Sequence, residues 1–182
     1  MDKQVARKIA FSIEIIDAEI KSEEIALKLI SLDEYKKANS IFTYLSKDNE
    51  VNTAFIIQHA LENNKTVFVP ILVANEMEIA QINSSTKYQN GKFDIKEPIN
   101  YQIINNVQEI NISIVPMVAF DPDLNRLGHG KGYYDKWLKK NITFKIGLCF
   151  EEKKFDKIPI DYNDVQMDIV ISEKKIYCKK QS

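Results

Sequence analysis

The chain has 182 residues, 25 basic and 26 acidic, for a formal net charge of −1. That balance argues against a general binder of nucleic acid or anionic membrane. A 45% hydrophobic, 28% charged composition excludes wholesale disorder, and the length suits one domain with a real core.

No run of 18 apolar residues exists, so no membrane-spanning helix is expected. The opening Met1-Asp2-Lys3-Gln4 has charges and no apolar signal core. Cys149 and Cys178 form neither a CxxC pair nor a zinc spacing, so they are expected as reduced thiols of a cytoplasmic protein. Of the 25 basic residues only Arg7 and Arg126 are arginine.

Val5, Ile9, Ile13, Ile16 and Ile20 recur at helical spacing and predict an amphipathic helix from Lys3 to Ile20. Ser22 followed by Glu23 and Glu24 predicts the capped start of a second helix. Ile41 to Leu45 is a short β-rich run, and Thr53 is expected to cap a helix reaching Glu62. Thr66 to Pro70 predicts the next strand, followed by one over Glu76 to Ile82 and a turn at Asn90-Gly91. Ile112 to Pro116, Thr143 to Phe150 and Met167 to Ile171 read as buried strands, with a last strand through Ile176-Tyr177-Cys178. Gly132 to Lys140 reads as a helix.

Apolar strands alternating with helices predict an α/β fold: a single-domain, Rossmann-like, three-layer sandwich over residues 1–182, its mostly parallel sheet covered on both faces. Ligands of such sheets sit beyond the carboxyl ends of the strands, which directs attention to the loops after Leu45, Pro70, Pro116 and Phe150.

Three of the five glycines fall at Gly128, Gly130 and Gly132, in a segment that follows a strand and an Asp-Pro loop and opens a helix. Glycine lets backbone approach a ligand closely, and amides at a helix start favour an anion. Arg126, His129 and Lys131 add cationic side chains around them, so the parts form a phosphate cradle. Neither the Walker A spacing nor GxGxxG fits, because Lys131 is followed by Gly132. An EF-hand from Asp121 fails as well, with Arg126 at its sixth place and Gly132 at its twelfth.

Pro116-Met117-Val118-Ala119-Phe120-Asp121, followed by Asn125-Arg126-Leu127-Gly128-His129-Gly130-Lys131-Gly132-Tyr133-Tyr134-Asp135, closely resembles the signature of the 5-formyltetrahydrofolate cyclo-ligase (5,10-methenyltetrahydrofolate synthetase) family. The resemblance extends over nearly the whole chain. It includes Lys3 and Arg7 in the first helix, the loop Asp48 to Thr53, Glu97-Pro98, Leu148-Cys149-Phe150, Asn163-Asp164 and Met167-Asp168.

The resemblance implies conversion of 5-formyltetrahydrofolate and ATP into 5,10-methenyltetrahydrofolate, ADP and phosphate, with Mg²⁺. It assigns the ATP phosphates to Lys3, Arg7, Arg126, Leu127, Gly128, His129, Gly130, Lys131, Gly132, Tyr133 and Tyr134. It assigns the folate to Leu45, Glu50 and the segment His129, Gly130, Lys131, Gly132 and Tyr133, and the metal to Asp135 and Asp164. Arg126, Lys131 and Tyr133 would stand nearest the reacting groups, in a monomer with no nucleic-acid or membrane partner.

Phosphoryl transfer depends on positioning and charge stabilisation, which agrees with the absence of any convincing Ser/His/Asp or Cys/His arrangement. Replacing Arg7 or Arg126 by lysine is expected to weaken ATP use while leaving the fold intact. One departure from the family pattern is Ile71, where many relatives carry a basic residue after the strand's proline; Lys136 stands where relatives often have arginine. His59, alone in its helix with no partner at ligand spacing, reads as structural or surface. Two alternatives stay open: a folate or nucleotide buffer without catalysis, which Ile71 would favour, and a sugar-phosphate enzyme, which Glu50 and the central motif oppose.

Overall fold

The structure is a computed structural model that describes residues 1–91, 96–104 and 110–179. In chain order the elements are α1 (Lys3–Ser12), α2 (Ala18–Ser31), α3 (Asp33–Lys37), β1 (Ser40–Phe42), α4 (Ala54–Glu62), β2 (Thr66–Val73), β3 (Glu76–Ile82), β4 (Tyr88–Asn90), β5 (Lys96–Pro98), β6 (Ile112–Pro116), β7 (Ala119–Phe120), β8 (Arg126–Leu127), α5 (Tyr133–Lys140), β9 (Phe144–Leu148), β10 (Ile169–Ile171) and β11 (Ile176–Cys178). Seven strands form one sheet in the order β11-β10-β9-β6-β1-β2-β3. The five central strands run parallel, and antiparallel β3 and β11 close the two edges. This is the mostly parallel α/β sheet expected from the alternation of apolar runs and helical stripes.

Strand alternation sends neighbouring side chains to opposite faces. Ile41, Val67, Ile114 and Ile146 pack under α2 and α4 with Ile25, Leu29 and Ile56. Phe42, Phe68 and Val115 pack on the other face with Trp137 and Leu138 of α5. The Phe42 and Trp137 ring centroids are 4.5 Å apart. The chain passes from β1 to β2 and β3 on one side and later crosses to β6 on the other, so the connections leaving the carboxyl ends of β1 and β6 diverge and open a crevice.

The amino-terminal segment departs from expectation. The helix stops at Ser12, and α2 begins after Asp17, whose φ of 57° is left-handed. The isoleucine-rich run from Ile13 to Ile16 loses side-chain freedom in a helix, which favours the break. The large apolar stripe is not buried: Val5 is 46% and Ile16 70% exposed, whereas Ala6 and Ala10 are fully covered. Ala6 and Ala10 pack against Val118, Ala119, Leu127 and Ile158. Small side chains let the α1 backbone come close to the β7–β8 hairpin, and larger ones would hold it away.

Other boundaries also shift. Ser22 lies within α2, where its Oγ accepts the Asn52 N–H at 3.0 Å. The Thr53 hydroxyl donates to the Tyr44 carbonyl instead of capping α4; the Asn52 side chain accepts from Ala54 N–H at 2.9 Å. β2 runs through Pro70 to Val73, so no loop follows Pro70. The ladder to β1 ends at Phe68, and proline is tolerated where one neighbouring strand is missing. Ile71 is buried, while its neighbours Pro70 and Leu72 line the crevice. Cys149 is buried and Cys178 exposed, both free thiols. No helix among the described residues is long and apolar enough to cross a membrane.

The Asp-Pro loop before the glycine segment is organised by Asp121, which is fully buried. Its carboxylate accepts the N–H groups of Asp123, Asn125 and Ile158 and the Asn125 amide, all at 2.8 to 3.0 Å. Asp121→Ala leaves those donors unpaired and is expected to cost about 3 kcal/mol of stability by urea denaturation. An unchanged denaturation midpoint would show that the loop stands without the carboxylate.

Candidate functional site

A cavity of about 570 Å³ opens at the diverging ends of β1 and β6. Its walls are α1, the loop after β1, the β2–β3 hairpin, the glycine segment with the start of α5, and the turn at 161–164. Every site residue expected from the sequence lines it: Lys3, Arg7, Leu45, Glu50, the run Arg126 to Asp135, and Asp164. Seven basic and four acidic side chains meet there, a local positive excess in a chain of net charge −1. Positive potential in a concave, partly desolvated site favours an anionic ligand.

Both arginines of the chain clasp the glycine segment. Arg126 is buried, its guanidinium bonded to Asp135 Oδ2 at 2.7 Å and to the Pro116 carbonyl at 3.4 Å. Its Nε, also buried, has no hydrogen-bond partner among the described residues. Arg7 Nε donates to the Gly128 carbonyl at 2.8 Å. A Cβ on Gly128 would come within 2.9 Å of Arg126 Nη1, and one on Gly130 within 3.2 Å of the Arg7 guanidinium carbon. Gly130 at φ 97° and Gly132 at φ 69° also hold left-handed backbone that side chains strain to adopt. The glycines therefore make room for the guanidinium groups as well as for a ligand.

The two carboxylates expected to hold metal are already engaged. Asp135 takes Arg126 on one oxygen and the Val165 N–H on the other, at 3.0 Å. Lys3 Nζ reaches Asp161 at 2.7 Å and Asp164 at 2.6 Å. Burial pulls the Lys3 pKa down, but the bonds to the two aspartates outweigh it and the net shift is upward. Among the described residues no three His, Cys, Asp or Glu side chains gather closely enough to hold a metal by themselves.

Glu50 sits on the opposite wall with its side chain only 8% exposed. Burial raises its pKa, while the Lys47 N–H at 2.9 Å and the charges of Lys47 and Lys153 oppose the rise. His129 Nε2 lies 3.3 Å from Glu50 Oε1. Desolvation, then the charges of Lys47, Arg126, Lys153 and Arg7, push the imidazole down to about 4. At neutral pH the contact is therefore a neutral ring against a carboxylate, not an ion pair.

The sequence profile of the 5-formyltetrahydrofolate cyclo-ligase family matches residues 6–173. The chain belongs to that family. It is 32% identical over 180 residues to the probable 5-formyltetrahydrofolate cyclo-ligase of Schizosaccharomyces pombe, covering 89% of this chain and 87% of that protein. Against the Mus musculus 5-formyltetrahydrofolate cyclo-ligase the identity is 29%, over 80% of this chain and 79% of the relative. The solved structure of the Aquifex aeolicus 5,10-methenyltetrahydrofolate synthetase superposes with a TM-score of 0.87 at 28% identity, covering 100% of this chain and 95% of that one. The Mycoplasma pneumoniae 5,10-methenyltetrahydrofolate synthetase gives 0.73 at 25% identity, covering 95% and 99%.

The sequence reading missed several cavity residues. Lys47 and Lys139 line it, as does Asp161. Lys139 lies one helical turn beyond Asp135 and bonds Asn163 at 3.0 Å, so its spacing was a usable signal. Beneath the Glu50 loop lies Lys153, fully buried in a Glu-Glu-Lys-Lys run that reads as solvated charge. Conversely, Ile71 does not face the cavity, so it does not stand in for a cation there. His59 is structural, its Nδ1 3.0 Å from the Tyr35 hydroxyl.

The His129 resonances are expected to titrate with a midpoint near 4 by NMR. Because the folded pKa lies below the ordinary 6.5, the unfolded chain protonates first. The stabilisation from the neutral ring is then present above about 6.5 and lost as pH falls towards 4. A midpoint at the ordinary value would place the ring in open solvent.

Proposed function

We propose that this enzyme converts 5-formyltetrahydrofolate to 5,10-methenyltetrahydrofolate with consumption of ATP, as a monomeric single-domain cytoplasmic cyclo-ligase. The observation that carries the reading is the meeting, in one cavity, of an arginine-clasped glycine loop with a buried carboxylate on the facing wall. An N-formyl amide oxygen is a poor leaving group. It attacks the γ-phosphorus of ATP, forming an O–P bond as ADP departs. Nitrogen 10 then adds to the formyl carbon and loses its proton, and the C–O bond breaks to release phosphate and leave the methenyl bridge between nitrogens 5 and 10.

The residues fit those demands. Arg7, Lys131 and the amides from Gly128 to Gly132 would hold the phosphates, with Lys3 released from Asp164 to join them. Arg126, with its unpaired Nε, and Tyr133 would stand where charge develops on the transferred group. Glu50 would accept hydrogen bonds from the amino and ring N–H groups of the pterin, with Leu45 packed beside it. Neutral His129 joins the two subsites without contributing a cation.

The donor set also suits Mg²⁺. Asp135 and Asp164 present hard oxygens on one side of the cavity; both Asp135 oxygens and Asp164 Oδ1 accept one internal hydrogen bond each, Asp164 Oδ2 accepts from Lys3 and the Asp161 N–H, and phosphate oxygens would complete the shell. When bound, the ion neutralises phosphate charge.

The direct test follows methenyl absorbance with 5-formyltetrahydrofolate, ATP and Mg²⁺; product is expected, and pure folded protein that forms none overturns the reading. Arg7→Lys keeps the charge but loses the guanidinium fork, and is expected to raise the KM for ATP about tenfold with the folate KM unchanged. Unchanged ATP kinetics would remove Arg7 from the phosphate site. Arg126→Lys is no longer expected to spare the fold, because Arg126 is a buried partner of Asp135.

A further inference from the structure

Lys153 does not line the cavity, although it acts on Glu50 and His129 and is among the largest fully buried side chains of the protein. It ends the short 3-10 turn Glu151–Lys153 that follows β9, and its Nζ donates to the Asn49 carbonyl at 2.8 Å. Asn49 holds a left-handed φ of 67° and directly precedes Glu50. The loop's other anchors lie mainly beyond Glu50 or within its own turn. Tyr44 donates to the Val51 carbonyl at 2.9 Å, and the Asn52 N–H is held by Ser22. The turn is closed by Glu50 N–H on the Lys47 carbonyl at 3.1 Å. Lys153 is thus the anchor adjoining Glu50 on its amino-terminal side, and it comes from the far side of the sheet's switch point.

Burying an ammonium is costly unless something gains from it, and an apolar side chain could fill the same space. Here the charge does two things that a methionine would not. It bonds the carbonyl of the residue before Glu50, and it acts electrostatically on both Glu50 and His129.

We infer that Lys153 is a positioning residue for the folate subsite, holding the Asn49–Glu50 backbone and keeping the Glu50 carboxylate charged against the substrate wall. The inference rests on the functional reading above and adds to it a residue that never touches the substrate. Glu50 is faced by Lys47 from its own loop, Lys153 from below, His129 from the glycine segment, and the phenols of Tyr44 and Tyr134. Lys47 and Lys153 supply the cations that oppose the rise in the Glu50 pKa. Without Lys153 the carboxylate protonates at higher pH and the loop loses an anchor.

The test measures 5-formyltetrahydrofolate binding by calorimetry from pH 5 to 8. It uses the full-length wild type and the variants Lys153→Met, Lys153→Gln, Glu50→Gln and the double variant Glu50→Gln/Lys153→Met. A non-hydrolysable ATP analogue and thermal melts serve as controls. Lys153→Met is expected to weaken folate binding about tenfold, move the acid limb of binding to higher pH, and leave analogue binding within about twofold. In the Glu50→Gln background the same change is expected to cost under about twofold, since both act through one carboxylate.

Wild-type folate affinity and pH profile in a folded Lys153→Met variant overturn the inference, as does a full additional loss in the Glu50→Gln background. A parallel loss of analogue binding overturns it too. If Lys153→Met does not fold, Lys153→Gln decides by the same readings, and failure of both to fold shows a purely structural lysine. A wild type that binds no folate overturns the functional reading and this inference with it, whereas binding that is indifferent to Lys153 overturns this inference alone.

Discussion

The buried ion pair between Arg126 and Asp135 is the interaction on which the rest of the site depends. A guanidinium only 4% exposed must be paired, and Asp135 in the first turn of α5 provides the partner at 2.7 Å. The consequences spread outward from that pair. A Cβ on Gly128 would press on the Arg126 guanidinium at 2.9 Å and force it to shift away from its pairing with Asp135. The second oxygen of Asp135 takes the Val165 N–H, which draws the turn at 161–164 to the cavity edge. The turn in turn supplies Asp161 and Asp164, the carboxylates to which Lys3 of α1 is tied. One buried pair thereby joins β8, α5, the carboxy-terminal turn and α1.

The closeness of α1 is a matter of side-chain size. Lys3, Ala6, Arg7 and Ala10 share one helical face, and the alanines let that face lie against Leu127 and Ala119. Arg7 can then reach the Gly128 carbonyl while its guanidinium passes over Gly130. Planar forks serve where an anion must be held in one geometry, and lysine suffices elsewhere on the surface. This lysine-rich chain keeps arginine only at these two positions, and both lie against the glycine segment.

Across the cavity, charge control differs in kind. The wall formed by α1 and the glycine segment concentrates cations, and burial together with their field lowers the His129 pKa to about 4. On the facing wall Glu50 is nearly buried, which raises its pKa, and the Lys47 N–H together with the charges of Lys47 and Lys153 opposes the rise. The cationic wall and the buried carboxylate adjoin across a ring that is neutral at neutral pH.

The strand and helix pattern, the glycine segment with its neighbours, Lys3 with Arg7, and the loop carrying Glu50 were all legible along the chain, because each is a local pattern of residue type and spacing. The residues of that pattern line one cavity. Local spacing misled on α1, where the prominent isoleucine and valine stripe is exposed and two alanines are buried, since packing distance to a hairpin far along the chain decides which face turns inward. It misled on Ile71 as well, because strand alternation turns that side chain away from the cavity that Pro70 and Leu72 line. Lys153 carried no signal: in the charged run Glu-Glu-Lys-Lys nothing separates a solvated lysine from one lying under a loop more than 100 residues away. The sequence by itself determined the fold class and the local motifs whose residues line the cavity, though not Lys47, Lys139 or Asp161. Tertiary structure alone decided which of them are free to meet a ligand and which are spent on one another, because burial and pairing depend on contacts between segments distant in the chain.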